Sequence, residues 1–308
     1  MSIATGGYAP ILLFTFKRLE TLKRTVAHLQ QNHHAKESDL LIFSDEARHD
    51  ADRARVDAVR AYLRTIEGFK KIRIIEARQN TGLAHSIING VSEALGQYGK
   101  VIVLEDDLLT TPNFLSFMNQ ALDRYQDCDP VFSVSGYSFD LAMKKAIPVA
   151  DAYFLNRGWS WGWGTWKDRW THVDWAMQDY RSFSNDPFAK KKFAQGGSDL
   201  NGMLRKQMQG KLDSWAIRWF YHQLKTGGLT LYPVLSKVYN DGFDEMATHT
   251  RGSNSRYRPV LDDTGQDNFR LPEEVRIDAG YQQKFREKLG VPARIISRLQ
   301  TIIDKIIK

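Results

Sequence analysis

Lys100-Val-Ile-Val-Leu-Glu-Asp-Asp107 decides how this chain folds. Four apolar residues, three of them β-branched, read as a strand covered on both faces, and the run stops in three consecutive carboxylates. In an open α/β sheet, ligands sit in the crevice beyond the carboxyl ends of the strands. Glu105-Asp106-Asp107 therefore marks one wall of such a crevice. Close carboxylates repel one another unless a cation sits among them, and oxygen donors suit Mg²⁺ or Mn²⁺. A divalent ion bridging a diphosphate is the natural use of the triplet. A solvated acidic loop or helix start is the other reading the residues allow.

Outward from this strand, apolar runs of strand length alternate with segments of helical period. The pattern predicts strands over 10–16, 40–44, 71–75 and 100–104, and helices over 19–29, 52–65 and 82–95. This is the layout of a largely parallel sheet flanked by helices, a Rossmann-like nucleotide-binding arrangement. Beyond residue 140 the regular alternation gives way to a Trp- and Gly-dense stretch, a helix over 213–225 and a strand over 229–238. We expect one domain over 1–250, a polar linker or flap over 251–280 and a basic amphipathic C-terminal helix over 281–308.

The 308 residues are 42% hydrophobic and 26% charged, which excludes disordered, collagen-like and coiled-coil readings of the whole chain. Cys128 is the single cysteine and has no internal partner. The N-terminus lacks a basic stretch followed by an apolar run, so a reducing, cytoplasmic setting is expected. No run approaches the roughly 18 apolar residues that a spanning helix needs. Net charge is +7, of which +5 lies in residues 281–308 (seven Lys or Arg against Glu287 and Asp304), leaving +2 on the rest. A nucleic-acid binder should carry its positive field on the body, so no nucleic-acid partner is expected.

Two further polar groups fall at predicted strand ends. Arg18 follows the first strand, where a guanidinium meets a phosphate, stacks on a base or simply stays solvated. Asp45 closes the second, where a carboxylate accepts from a base edge such as uracil N3–H or caps a turn. Asn156-Arg-Gly-Trp-Ser-Trp-Gly-Trp-Gly-Thr-Trp166 holds four of the eight tryptophans. Alternation predicts Trp159, Trp161 and Trp163 on one face of an extended segment, a platform for the apolar faces of a sugar, or else an aromatic plug in the core. Asp213 stands at a helix start, as N-cap or, facing the crevice, as a general base for an acceptor hydroxyl. His249 is a candidate metal ligand or phosphate contact, or a surface histidine.

The residues Ile11-Leu-Leu-Phe-Thr-Phe-Lys-Arg18, Phe43-Ser-Asp-Glu46, Val101-Ile-Val-Leu-Glu-Asp-Asp-Leu108, Ser133-Val-Ser-Gly136, the Gly-Trp loop at 158–164, Asp213-Ser-Trp215 and the segment 233–249 together resemble the GT-A-fold inverting glycosyltransferases related to N-acetylglucosaminyltransferase I. The resemblance spans roughly residues 8–250. It implies a GT-A fold and inverting transfer from a UDP-sugar to a hydroxyl of a glycan or lipid-linked glycan, in bacterial members often for surface polysaccharide. It also implies Mn²⁺ (or Mg²⁺) held mainly by Asp107, donor sugar and ribose contacts from Glu105 and Asp106, uracil recognition by Asp45 and a donor contact from Arg18. Asp213 matches the catalytic base, although this chain has Asp-Ser-Trp where that enzyme type has Asp-Asp-Trp.

Two rival functions are carried forward. A sugar-nucleotide nucleotidyltransferase would want a glycine-rich phosphate loop after the first strand, and Phe14-Thr-Phe-Lys-Arg-Leu19 has no glycine. A non-catalytic carbohydrate-binding protein would need only the Trp loop. After Pro292, Ile295, Ile296, Leu299, Ile302, Ile303, Ile306 and Ile307 recur at helical spacing beside basic residues, a pattern suited to peripheral contact with an anionic membrane, to packing on the domain or to pairing with another subunit.

Overall fold

The computed structural model describes residues 7–143, 150–242, 255–297 and 299. In chain order the elements are β1 Ile11–Thr15, α1 Leu19–Gln30, β2 Asp39–Ser44, α2 Asp50–Leu63, β3 Lys71–Glu76, α3 Leu83–Tyr98, β4 Lys100–Glu105, β5 Leu108–Thr110, α4 Phe114–Arg124 and β6 Val131–Ser135. They continue with β7 Ala152–Leu155, β8 Trp163–Trp166, α5 Lys167–Thr171, α6 Tyr180–Asn185, α7 Pro187–Ala194, α8 Leu200–Met208, α9 Trp215–Thr226, β9 Leu229–Pro233, β10 Val238–Asn240 and α10 Ala279–Lys288.

Among the described residues, eight strands form one sheet in the order β3-β2-β1-β4-β8-β6-β9-β7. The first four run parallel, β1 between β2 and β4, and β8 joins antiparallel to both β4 and β6. The expected α/β class, with one half of the sheet parallel, is therefore present. Ile11 to Phe14 and Val101 to Leu104 are fully covered because helices lie on both faces of the sheet. Leu22, Val26 and Leu29 of α1 pack with Ile11, Leu13 and Ile102 on one face; Ile87, Val91 and Ala94 of α3 pack with Leu12, Phe14 and Val103 on the other.

The C-terminal expectations need correction. Residues 257–278 are no loose flap: they strap across α4 and the end of the sheet. Asn113 Nδ2 donates to Asp262 Oδ2 at 3.0 Å and to the Gln266 carbonyl at 2.9 Å, Ser116 Oγ donates to Asp267 at 2.8 Å, and Tyr125 Oη donates to the Pro272 carbonyl at 2.6 Å. Lys237, buried under the rings of Phe117 and Phe269, pairs with the equally buried Asp262. The expected continuous amphipathic helix is also divided. Its first part, α10, buries Phe285 and is followed by buried Leu289, so it belongs to the domain core. Helix resumes over 291–297 with Val291, Ile295 and Ile296 exposed, as is Leu299. Residues 301–308 lie outside the described residues. No described helix is long and apolar enough to cross a membrane.

Candidate functional site

Parallel register sets the ends of three strands side by side. Thr15 lies beside Ser44 and Phe14 beside Glu105, so the residues just past β1, β2 and β4 open onto one edge of the sheet. The chain supplies Arg18, Asp45 and the acidic triplet at that edge.

Asp106 is the best anchored of the three carboxylates. Its Oδ2 accepts from Thr15 Oγ1 at 2.9 Å and from the Phe16 amide at 3.2 Å, and its Oδ1 accepts from Arg18 Nη2 at 2.7 Å. The same Nη2 donates to Asp107 Oδ2, also at 2.7 Å. Burial pushes the Asp107 carboxyl up from its ordinary value; the neighbouring Asp106 charge adds to that, and Arg18 pulls the other way. Glu105 is half-buried as a residue. Burial first, then the charges of Asp107 and Asp106, push it up to about 8.

Asp107 is closed in from the far side of the fold. The Asp241 amide donates to the Asp107 carbonyl at 2.8 Å, continuing the antiparallel pairing of β5 with β10, and Arg24 Nε holds the Asp241 carboxylate at 2.8 Å. Gly242 then passes directly over the Asp107 carboxylate: a Cβ there would lie 2.1 Å from Oδ2. Sequence reasoning missed Gly242, Asp241 and Thr15. The turn signature Asn240-Asp-Gly242 after an apolar strand was available as a signal, but the residue it faces was not.

Asp45 is built into the start of α3. Its Oδ1 accepts the Glu46 and Thr81 amides at 2.9 and 3.1 Å, and its Oδ2 accepts the Gly82 amide at 3.0 Å. The turn-holding reading is thus realised, and one lone-pair direction on Oδ2 is left for a further donor.

The tryptophan expectation fails in its geometry. Gly162 sits at φ 60° and breaks the extended run, so the three indoles do not share a face. Trp159 is buried on one side of the sheet, stacked on Tyr137 at 5.3 Å between ring centroids. Trp163 lies in β8 and is buried on the opposite side, stacked on Trp215 at 4.8 Å. Trp161 is half-buried, edge-on to Tyr137 at 4.7 Å. A sugar platform made of all three is therefore excluded; two of them are core.

Trp163 pairs with Val103, close to the carboxyl end of β4, so its stack on Trp215 brings the first turn of α9 toward the site side of the sheet. Ser214, not Asp213, is the N-cap: its side chain accepts from the Ile217 amide at 3.3 Å. That leaves the Asp213 carboxylate 58% exposed and held by Arg218 Nη2 at 3.0 Å. His249 lies outside the described residues.

Among the described residues no three His, Cys, Asp or Glu side chains converge as a complete metal cage. The donor chemistry nevertheless suits a hard divalent ion, because Mg²⁺ and similar ions are commonly held by one or two carboxylates together with substrate phosphates and water. Asp107, whose Oδ2 meets the Arg18 guanidinium on one side and the Gly242 backbone on another, could supply such a carboxylate.

No curated protein matches the chain. Among solved structures, a mannosyltransferase from Pyrobaculum calidifontis in complex with GDP-Man and Mn²⁺ is 16% identical, with a TM-score of 0.35, over 45% of this chain and 38% of that one. GalNAc-T7 with UDP, GalNAc and Mn²⁺ is 11% identical, with a TM-score of 0.46, over 74% of this chain and 43% of that one. TarS residues 1–349 from S. aureus are 9% identical, with a TM-score of 0.42, over 76% and 60%. The chain thus spans less than half the length of the first two of these structures. The sequence profile described as Glycosyl transferase family 2 matches residues 11–178, which include Arg18, Asp45 and the whole acidic triplet but not Asp213 or Gly242. Since that match takes in more than half of the 308 residues, the chain belongs to glycosyl transferase family 2.

Proposed function

We propose that this protein is a metal-dependent, inverting glycosyltransferase that moves a sugar from a UDP-sugar to a hydroxyl of a glycan or lipid-linked glycan. The narrower likeness is to N-acetylglucosaminyltransferase I, and the setting is surface polysaccharide synthesis. One observation carries the reading: two adjacent carboxylates at the end of β4 share a single guanidinium nitrogen at 2.7 Å, with a glycine backbone over the outer one. That is an acidic corner at the place where an α/β sheet binds nucleotides.

A divalent ion held by Asp107 would supply Lewis-acid stabilisation of the charge that builds on the departing diphosphate. The chain's own residues do the rest. Asp45, fixed by three backbone amides, offers its remaining lone pair to a base N–H. Asp106, locked to Thr15 and Phe16, would contact the ribose, and Glu105 the donor sugar. Asp213 takes the proton of the acceptor hydroxyl as that oxygen attacks the anomeric carbon from the face opposite the leaving group, which inverts the configuration. Burial of Trp159 and Trp163 counts against a carbohydrate-binding protein that lacks catalysis.

The lipid-linked acceptor is supported by the exposed apolar residues at the C-terminal end. Val291, Ile295, Ile296 and Leu299 are each more than half exposed, next to Arg294, which favours peripheral contact with an anionic inner membrane face. Deleting residues 292–308 should abolish sedimentation with anionic vesicles, and unchanged sedimentation would remove this part of the proposal.

Calorimetry with UDP in the presence and absence of Mn²⁺ tests the central reading. Metal-dependent UDP binding, lost in Asp107→Ala, is expected. Equal binding with and without Mn²⁺, or an undiminished response in Asp107→Ala, would refute it.

A further inference from the structure

Arg18 stands at the N-cap of α1, just past the end of β1. Its backbone is fixed at the start of α1, where its carbonyl accepts the Leu22 amide at 3.1 Å and Thr21 Oγ1 at 3.0 Å. Its side chain is 17% exposed and sends one nitrogen to two different carboxylates. The two bonds are not equivalent in consequence. Asp106 has two other hydrogen bonds, from Thr15 and Phe16, so its position does not depend on Arg18. The contact to Asp107 Oδ2 falls on the same oxygen that Gly242 crowds, so a cation that reaches this oxygen meets the guanidinium first.

A guanidinium and a divalent ion cannot both sit in contact on that oxygen, since like charges that close repel strongly where water is excluded. We infer that Arg18 is the resident counter-cation of Asp107, that a metal must displace it, and that the displaced guanidinium is then free to take a diphosphate oxygen of the donor. This inference rests on the glycosyltransferase reading and deepens it. Asp106 acts as the pivot: the Nη2 that the two carboxylates share keeps its Asp106 contact while it moves off the Asp107 oxygen. In its presence, metal alone pays for breaking the Arg18–Asp107 contact, whereas metal with nucleotide diphosphate regains an equivalent contact for Arg18. The two ligands therefore bind with positive coupling carried by one side chain, and linkage makes that coupling equal in both directions.

The test is titration calorimetry of Mn²⁺ into the full chain, with and without saturating UDP, in wild type, Arg18→Gln and Arg18→Lys. With the competing cation gone, Arg18→Gln should bind Mn²⁺ alone about tenfold more tightly than wild type, and the gain in Mn²⁺ affinity on adding UDP should shrink by about tenfold, within the usual range of a coupling free energy. Arg18→Lys, which keeps a positive charge, should bind Mn²⁺ alone no more tightly than a few-fold above wild type. Thermal melts establish that each variant is folded. Should Arg18→Gln fail to fold, the lysine variant and the wild-type coupling carry the test, and wild-type Mn²⁺ affinity unaffected by UDP overturns the inference. Mn²⁺ binding to folded Arg18→Gln that is equal to or weaker than wild type also overturns it. Either result leaves the function proposal intact provided wild type still binds Mn²⁺ and UDP through Asp107. Absence of any Asp107-dependent binding is the separate signature of that proposal failing.

Discussion

Gly242 and Asp107, 135 positions apart in the chain, are packed so tightly that a methyl group on the glycine would stand 2.1 Å from the carboxylate oxygen. The family match ends at residue 178, so the wall that closes the acidic corner comes from outside it.

Gly242→Ala should therefore damage the corner more than the fold. Asp107 must turn or the β10 end must retreat, and overpacking of this kind costs about 1–3 kcal/mol. We expect UDP binding in the presence of Mn²⁺ to weaken by at least about tenfold, equivalent to about 1.4 kcal/mol, with only a small fall in Tm. Calorimetry and a thermal melt on the same preparation check this; undiminished binding would show that Asp107 is not used.

Asp213→Asn tests the base. Losing a positioned proton acceptor typically costs about 10²- to 10⁴-fold in rate, so turnover should fall by that range while UDP binding holds. Arg218→Ala, which frees Asp213 from its 3.0 Å partner, should lower turnover less than Asp213→Asn does, because the carboxylate itself remains. Steady-state kinetics with a UDP-sugar donor distinguish the two. A near-normal rate in Asp213→Asn would move the base elsewhere.

The acidic triplet predicts a pH dependence of stability in the ligand-free protein. An exposed Glu105 in the unfolded chain gives up its proton near the ordinary value of 4.5, whereas the folded protein keeps it until about 8. Between those limits the folded state binds more protons, so stability falls as pH rises from about 4.5 to about 8 and then levels off. The raised Asp107 carboxyl acts with the same sign. Glu105→Gln should flatten the Tm-versus-pH curve over that window. A difference between variant and wild type that is constant with pH would contradict the account.

The strap depends on the ion pair between Lys237 and Asp262, each 3% exposed. Burial opposes the charge of both groups, and the contact with the partner stabilises it. Asp262→Ala leaves a buried ammonium without its counter-ion, and breaking such a pair costs about 3–5 kcal/mol. Replacing both at once, Lys237→Met with Asp262→Leu, should recover most of that. Denaturant titrations of the single and double variants decide the point.

The apolar runs 10–16, 40–44 and 100–104 were legible as strands because a strand buried on both faces needs continuous apolar residues, whereas 71–75, the half-buried edge strand β3, keeps polar Lys71 and Arg73 among its isoleucines. The same logic located the crevice, since Arg18, Asp45 and Glu105–Asp107 follow directly from where the runs stop. The tryptophan stretch misled because period-two alternation holds only while the chain stays extended, and Gly162 at φ 60° ends it. The segment 251–280 read as a linker because its residues are polar. Yet buried Lys237 and Asn113 need partners, and Asp262 and the Gln266 carbonyl supply them.

Local composition and periodicity thus determined the sheet half, its order of alternation and the acidic corner at the end of β4, because those features are properties of neighbouring residues. Which oxygen of Asp107 takes the Arg18 contact, which nitrogen of Arg18 makes it and which glycine roofs it were decided only by tertiary structure. Those contacts join residues just past the ends of β1, β4 and β10, and no spacing along the chain encodes the angle at which separate strand ends meet.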